Sequence, residues 1–385
     1  MARHTLLQGI LLSAAFLLLY VQCAEAKHFA VLHDFSGGSG DGANPAGNVT
    51  FDSSGNLFGT TNFGGSNNGG TIYKIAPDHT ETLLHAFDGK SGGGEPEAGV
   101  TINPSTGDLY GTTTFGGKKY CDHGCGVLYR LGVGGSYTVL MNFNVGTGFW
   151  PVGQLLRDRK GNLFGITTGG GGEEGTLFEY SATGQFTVLY GFSQDAGWPP
   201  QGDLIEDRAG NLYGVTSSGG EHQSGTVYEF TANGNYQTLY SFTGGADGSN
   251  PMGGLARDKA GNLFGTTGPG GSATPYGSVY KLTPDGTLTT LDAFNGGNDG
   301  NWPVGNLLYV GSRLYGTTMQ GGTNRDGVVY DVAASSGAET VVHSFTGTDG
   351  ATPQAGLTGN GRFLFGTASA GGTKNLGVVF SLTVK

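Results

Sequence analysis

Cysteine is scarce in this chain. Only Cys23, Cys121 and Cys125 occur in 385 residues, and Cys23 falls in the N-terminal leader, so a disulfide framework does not hold the fold together. Charge is scarce as well: 13% of residues are charged, the net charge is −11, and Lys and Arg form no cluster. That excludes nucleic-acid binding, which rests on basic side chains against phosphate. Beyond the leader no apolar run approaches the roughly 18 residues of a membrane helix, so no membrane span is expected. Serine-elbow, HExxH, P-loop and Rossmann patterns are all missing.

The leader carries Arg3 and His4, an apolar run from Leu11 to Val21, and Ala24-Glu25-Ala26. A charged start, a short greasy core and an A-x-A exit describe a signal peptide over residues 1–26, with cleavage before Lys27. Gln22 precedes Cys23 where a lipoprotein signal requires a small residue, so Cys23 belongs to the discarded segment. The mature chain, residues 27–385, is expected to be one secreted domain, extracellular or periplasmic.

Glycine is abundant instead, with 77 residues. No G-X-Y period accompanies it, and aromatics reach 11%, which excludes collagen and argues against disorder. The glycines recur in a block, Gly55-Asn56-Leu57-Phe58-Gly59-Thr60-Thr61, with counterparts beginning at Gly107, Gly161, Gly210, Gly261, Ser312 and Arg362. Its leucines, Leu57, Leu109, Leu163, Leu212, Leu263, Leu314 and Leu364, are spaced by 52, 54, 49, 51, 51 and 50 residues. Such a period marks a propeller blade or a solenoid coil.

Each unit reads as four strands. A Pro-led segment such as Pro303 to Leu308 starts it, and an Asp-x-x-Gly-Asn turn, as in Asp207 to Asn211, leads into the Leu block. A third strand carries Tyr73, Tyr129, Phe178, Tyr228, Tyr280, Tyr330 or Phe380. The fourth ends at Phe87, Phe143, Phe192, Phe242, Phe294 or Phe345. Phe29 to Phe35 resembles a fourth strand with no preceding three, whereas the last repeat stops after its third. The two halves predict one closed ring: an all-β, seven-bladed β-propeller with four antiparallel strands per blade, its N-terminal strand completing the last blade.

The pattern G-N-L-[FY]-G-T-T, then G-G and G-x-[VIL]-[FY], resembles the GloVer tandem repeat, named for Gloeobacter and Verrucomicrobia. The resemblance spans Lys27 to Lys385. It implies exported bacterial proteins, often with a separate C-terminal surface anchor. This chain ends at Lys385 directly after a strand, so free secretion or a periplasmic location is expected rather than anchoring.

Features repeated seven times serve the scaffold, so function is sought where copies differ. The loops between strands two and three, and between successive blades, vary and share one face, which makes that face the expected binding face. All three tryptophans stand before a proline there: Trp150-Pro151, Trp198-Pro199 and Trp302-Pro303, where other copies have Asn44, Glu95, Asn250 and Thr352. Indoles on a rim suit stacking on sugar rings, or they cover the adjoining blade. The loop Asp-Gly pairs at Asp41, Asp247, Asp299 and Asp349 are turn-makers rather than calcium ligands, since each loop offers a single carboxylate. Cys121 and Cys125, beside Tyr120 and His123, read as a local disulfide rather than a zinc site, for no second ligand pair follows. Neither a metal nor a cofactor is expected.

Other single-copy loop residues are Glu173-Glu174, Glu221-His222, Tyr276, Arg325-Asp326 and Lys374. Gathered at one pocket they would suit a polysaccharide lyase or a glycosidase; dispersed, they are solvated loop residues. The expectation is therefore a monomeric, non-enzymatic binder of an extracellular glycan or protein, with Trp150, Trp198, Trp302, Tyr120, His222, Tyr276 and Arg325 as ligand-binding candidates. A polysaccharide-active enzyme on the same face is the first alternative, and a protein-interaction scaffold the second.

Overall fold

The Leu block forms the second strand of every unit, as in Leu57–Thr61 and Leu212–Ser218, because alternate residues bury on either side of a sheet packed on both faces. In the fourth unit the strands run Trp198–Glu206, Leu212–Ser218, Thr226–Phe230 and Tyr236–Ser241, hydrogen-bonded in that order and antiparallel. Seven such sheets form a seven-bladed β-propeller in this computed structural model, which describes residues 28–384 apart from 119, 173, 360 and 361. Residues 1–26, expected from the sequence to be a signal peptide, lie outside the described residues. Among the described residues no helix is long and apolar enough to cross a membrane.

The ring closes as its ends predict. Phe29–Asp34 pairs antiparallel with Val378–Thr383, as the fourth strand of the seventh blade. The Thr383 amide donates to the His28 carbonyl at 2.9 Å, so the two ends of the described chain meet.

Between blades the contacts are aromatic. Fourth-strand rings stack across the seams, with His85 on Tyr137 at 4.0 Å, Tyr190 on Tyr236 at 4.0 Å, and Phe29 on His343 at 3.8 Å. The third-strand tyrosines lie deeper: Tyr73, Tyr129, Tyr228, Tyr280 and Tyr330 are fully buried. Each ring rests on the glycine of the neighbouring second strand. A Cβ on Gly214 would lie 2.4 Å from the Tyr228 hydroxyl oxygen, which explains why the block keeps glycine mid-strand despite its entropic cost. Gly214→Ala is expected to destabilise the protein by about 1–3 kcal/mol through overpacking. Urea unfolding checks this against Tyr228→Phe, which should be near neutral, since Phe178 and Phe380 fill the same place in other blades.

Threonines of the block bind the sheets laterally. Thr60, Thr317 and Thr367 donate their hydroxyls to the carbonyls of Ala98, Ala355 and Gly47 on the next blade, at 2.8, 2.8 and 3.2 Å. On the opposite face the Asp-x-x-Gly-Asn turns are made by their aspartates. Asp207 accepts the amides of Ala209 and Asn211 at 2.8 and 3.0 Å, and Asp52, Asp158 and Asp258 do the same in their blades.

Candidate functional site

Two places on the propeller bring polar or aromatic side chains together beyond what the scaffold requires: the axial channel and the rim of the variable-loop face.

The channel is lined by the first strands, which bulge inward after their proline and approach backbone to backbone. A Cβ on Gly47 would lie 2.3 Å from the Gly99 nitrogen, and one on Gly202 would lie 2.4 Å from the Gly254 nitrogen, so small residues are obligatory there. One residue further on, the copies differ: Asn48, Gly99, Gln154, Asp203, Gly254, Asn306 and Gly356. Asp203 reaches across the throat. Its carboxylate accepts the Gln154 amide at 2.6 Å, the Asn48 side-chain amide at 2.8 Å, and the side-chain amide of Asn306. Asn306 in turn accepts the Gly254 amide at 2.5 Å, and Gln154 donates its side-chain amide to the Val100 carbonyl at 2.7 Å. Six consecutive blades are thereby tied together at the axis.

Burial pushes the Asp203 carboxyl up to about 6, although its bonds from Gln154, Asn306 and Asn48 favour the ionised form. Glu97, which lines the same cavity, is also raised, by burial and then by Glu95, with Thr114 opposing. Raised carboxyls in a cavity suggest acid–base chemistry. Here size decides against a sugar substrate: the cavity holds about 110 Å³, well under the roughly 300 Å³ at which ligand pockets begin. The Asp203 oxygens are also already engaged. The network acts as a clasp.

On the rim, the residue before the first-strand proline is held in the left-handed region: Asn44, Glu95, Trp150, Asn250, Trp302 and Thr352 have φ between 52° and 64°. Its amide caps the preceding loop, as where Trp150 donates to the Cys125 carbonyl at 3.2 Å and Trp302 to that of Tyr276 at 2.9 Å. Trp198 departs from this register. The structural proline of its blade is Pro200, which pairs with Thr216 as Pro151 pairs with Thr167 and Pro303 with Thr318. Pro199 therefore occupies the rim position, and Trp198 sits where blade 3 has Phe149, paired with Ser218 and folded over Gly219. The expectation of one shared position holds for Trp150 and Trp302 and fails for Trp198.

Trp150 is 44% exposed, with Phe149 edge-on at 4.8 Å and Phe115 at 6.5 Å. The adjoining loop is closed by a Cys121–Cys125 disulfide and presents Tyr120, which is 52% exposed. Trp302 is half-buried beside Tyr276, whose ring covers Gly296. His222 and Arg325 are exposed, on loops of blades 4 and 6, while Tyr276 belongs to blade 5. The structure thus joins Tyr276 and Trp302 through the backbone and sets Tyr120 on the disulfide-closed loop beside Trp150, and among the described residues no side-chain hydrogen bond or ion pair links His222 or Arg325 to another candidate. Glu173 lies outside the described residues. The loop aspartates make turns: Asp41, Asp247, Asp299 and Asp349 accept the amides of Ser36, Thr243, Asn295 and Thr346 at 2.7, 2.7, 2.8 and 2.8 Å.

Larger hollows lie on the opposite face, at the seams between blades 1 and 2, 3 and 4, and 4 and 5, with volumes of about 500, 540 and 440 Å³. Charged residues line the second of these, among them Arg159, Lys160, Glu206 and Arg208, and Glu229 and Arg257 line the third.

The sequence profile of the Gloeobacter/Verrucomicrobia repeat matches residues 19–216 and 199–385. No curated protein matches the chain by sequence. Among solved structures, the extracellular domain of a B. thetaiotaomicron protein assigned as a hybrid two-component system superposes with a TM-score of 0.57 at 14% identity, over 93% of this chain and 42% of that one. A Bacteroides uniformis protein assigned as a 6-phosphogluconolactonase gives 0.51 at 15% identity, over 80% and 86% of the two chains. At such identities the likeness is one of fold.

Proposed function

The chain belongs to the Gloeobacter/Verrucomicrobia repeat family, and from that premise we propose that it is an exported binding protein whose Trp150 rim site stacks against an extracellular glycan. One observation carries this reading. Trp150 is held at φ 55° and left 44% exposed, before a proline, where the backbone favours asparagine and two other blades have it. A bulky residue in that conformation costs on the order of 1 kcal/mol. Trp198, by contrast, lies over a glycine of its own blade and needs no ligand to account for it.

Phe149 edge-on at 4.8 Å and Phe115 at 6.5 Å hold the indole while 44% of the residue stays exposed, and an exposed indole suits the apolar face of a pyranose ring. Trp302, half-buried, supplies a second indole at the equivalent rim position, its amide bonded to the Tyr276 carbonyl. The enzymatic alternative has less support, because no side-chain hydrogen bond or ion pair among the described residues joins His222, Tyr276 or Arg325 into one set.

Glycan-array screening of the mature protein, followed by calorimetry on the best ligand, tests the reading. Trp150→Ala is expected to weaken binding about tenfold or more, consistent with one lost aromatic contact of roughly 1.4 kcal/mol. Trp198→Ala should leave affinity intact. Equal binding by wild type and Trp150→Ala would remove stacking at this site from the account.

A further inference from the structure

The groove between blades 1 and 2 on the turn face differs from its counterparts. At two other seams a long side chain from the end of the first strand lies on the second-strand aromatic of the preceding blade. Arg257 sits over the Tyr213 ring at 5.7 Å, and Tyr309 stacks on Phe264 at 5.6 Å. At the blade 1–2 seam that position holds Ile102, which packs against the core cluster containing Phe58, and beside it lies a groove of about 500 Å³, within the ordinary range of ligand pockets and set apart from the charged hollows at the 3–4 and 4–5 seams by its largely apolar lining. Phe58, Leu84, Ile102 and Leu131 form its apolar wall. Two exposed hydrophobic residues flank its mouth, Phe51 at 39% and Val133 at 75%. Lone exposed hydrophobics are common, but two at one groove mark an apolar site.

One cation belongs to this wall. Lys74 lies directly across the strand pair from Phe58 and is half-buried. Among the described residues no carboxylate stands within ion-pair distance of it. Asp52 also lines the groove, but its two oxygens are taken by the turn, through the amides of Ser54 and Asn56 and the Asn56 side chain at 2.9, 2.9 and 2.7 Å. An apolar groove with a single unpaired ammonium is complementary to an apolar ligand bearing a single anionic head.

We propose that the groove binds a medium-length alkyl carboxylate, its chain against Phe58, Leu84 and Ile102 and its carboxylate on the Lys74 ammonium. This site is on the opposite face from the Trp150 rim and stands independently of it.

Titration calorimetry of the mature protein with sodium decanoate, 1-decanol and decyltrimethylammonium, each below its micellar concentration, tests the proposal. Decanoate is expected to bind more tightly than decanol, and decyltrimethylammonium more weakly than either. Lys74→Met should weaken decanoate about tenfold or more, as loss of a charge-assisted hydrogen bond would, and leave decanol unchanged. Ile102→Tyr, which supplies the cover that Tyr309 gives Phe264, should abolish binding of both. Decanoate affinity unchanged in Lys74→Met, or decyltrimethylammonium bound as tightly as decanoate, would overturn the assignment. Among the described residues the Lys74 side chain makes no hydrogen bond or ion pair, so its variant keeps the test decisive even where Ile102→Tyr fails to fold.

Discussion

A chain lacking residues 28–35 is expected not to fold to a stable monomer. The closing strand contributes five paired positions to the seventh blade and the side chain of Phe35, which has no exposure and packs with Val49, Leu57, Tyr73 and Val379. Phe29 adds contacts to Phe345 and Phe380 on both sides of the last seam. Losing Phe35 alone corresponds to about 3–5 kcal/mol on the scale of core Phe→Ala changes. With the strand pairing added, the loss approaches the whole stability of a typical domain, about 5–15 kcal/mol. The truncated chain would also expose Val378–Thr383 as an open apolar edge, a template for aggregation. Size-exclusion chromatography and circular dichroism on the truncated chain should show aggregate or unfolded material. A circular permutant supplies the control. A short glycine linker from Val384 to His28, with new termini cut between Ala209 and Gly210, should melt within a few degrees of the mature protein, because the Thr383 amide already bonds the His28 carbonyl. A truncated chain that stays monomeric and melts like the mature protein would show that the ring does not depend on this closure.

The legibility of that closure in the sequence has a simple cause. Repeat boundaries are marked by residues the backbone itself demands, such as Gly214 beneath the Tyr228 ring and Asp207 capping its turn, so an unpaired first strand and a missing last one stand out. The rim was legible only in part. Trp198-Pro199-Pro200 offers two prolines as the anchor, and strand pairing, which selects Pro200 through Thr216, is invisible in one dimension. The channel clasp went unread because Asn48, Gln154, Asp203 and Asn306 are spread over four repeats. Their signal was a single column, directly after an obligatory small residue, that alternates between glycine and a hydrogen-bonding side chain. The blade 1–2 groove is lined by Phe58, Lys74 and Leu84 of one repeat and Ile102 and Leu131 of the next, and only a structure brings those two repeats to one seam.

Asp203→Ala is expected to lower stability by about 2–3 kcal/mol, measured by urea unfolding at pH 7. The change leaves the Asn48 and Asn306 side-chain amides and the Gln154 backbone amide without their acceptor inside a narrow channel, and each orphaned buried donor costs about 1–3 kcal/mol. Part of that cost is offset, because the wild-type carboxylate is itself desolvated. The same desolvation gives a pH signature of definite sign. Asp203 titrates at about 6 in the folded protein against 3.8 as its unperturbed value, so between these pH values the folded state holds more protons than the unfolded one. Stability contributed by this group is present below pH 4 and is lost as pH rises through about 6. Glu339, raised to about 7 by burial and then by Asp292 and Asp299, acts in the same direction and extends the decline. Asp203→Asn separates the two. The amide keeps the shape of the carboxyl, and rotation of the Asn48 amide gives its NH₂ an acceptor, so the variant should fold, with a shallower loss of stability from pH 4 to 6 and an unchanged loss above it. An Asp203→Asn protein whose stability falls across pH 4 to 6 as steeply as that of the wild type would mean that the clasp carries its charge without cost, and that its hydrogen bonds outweigh the burial that surrounds them.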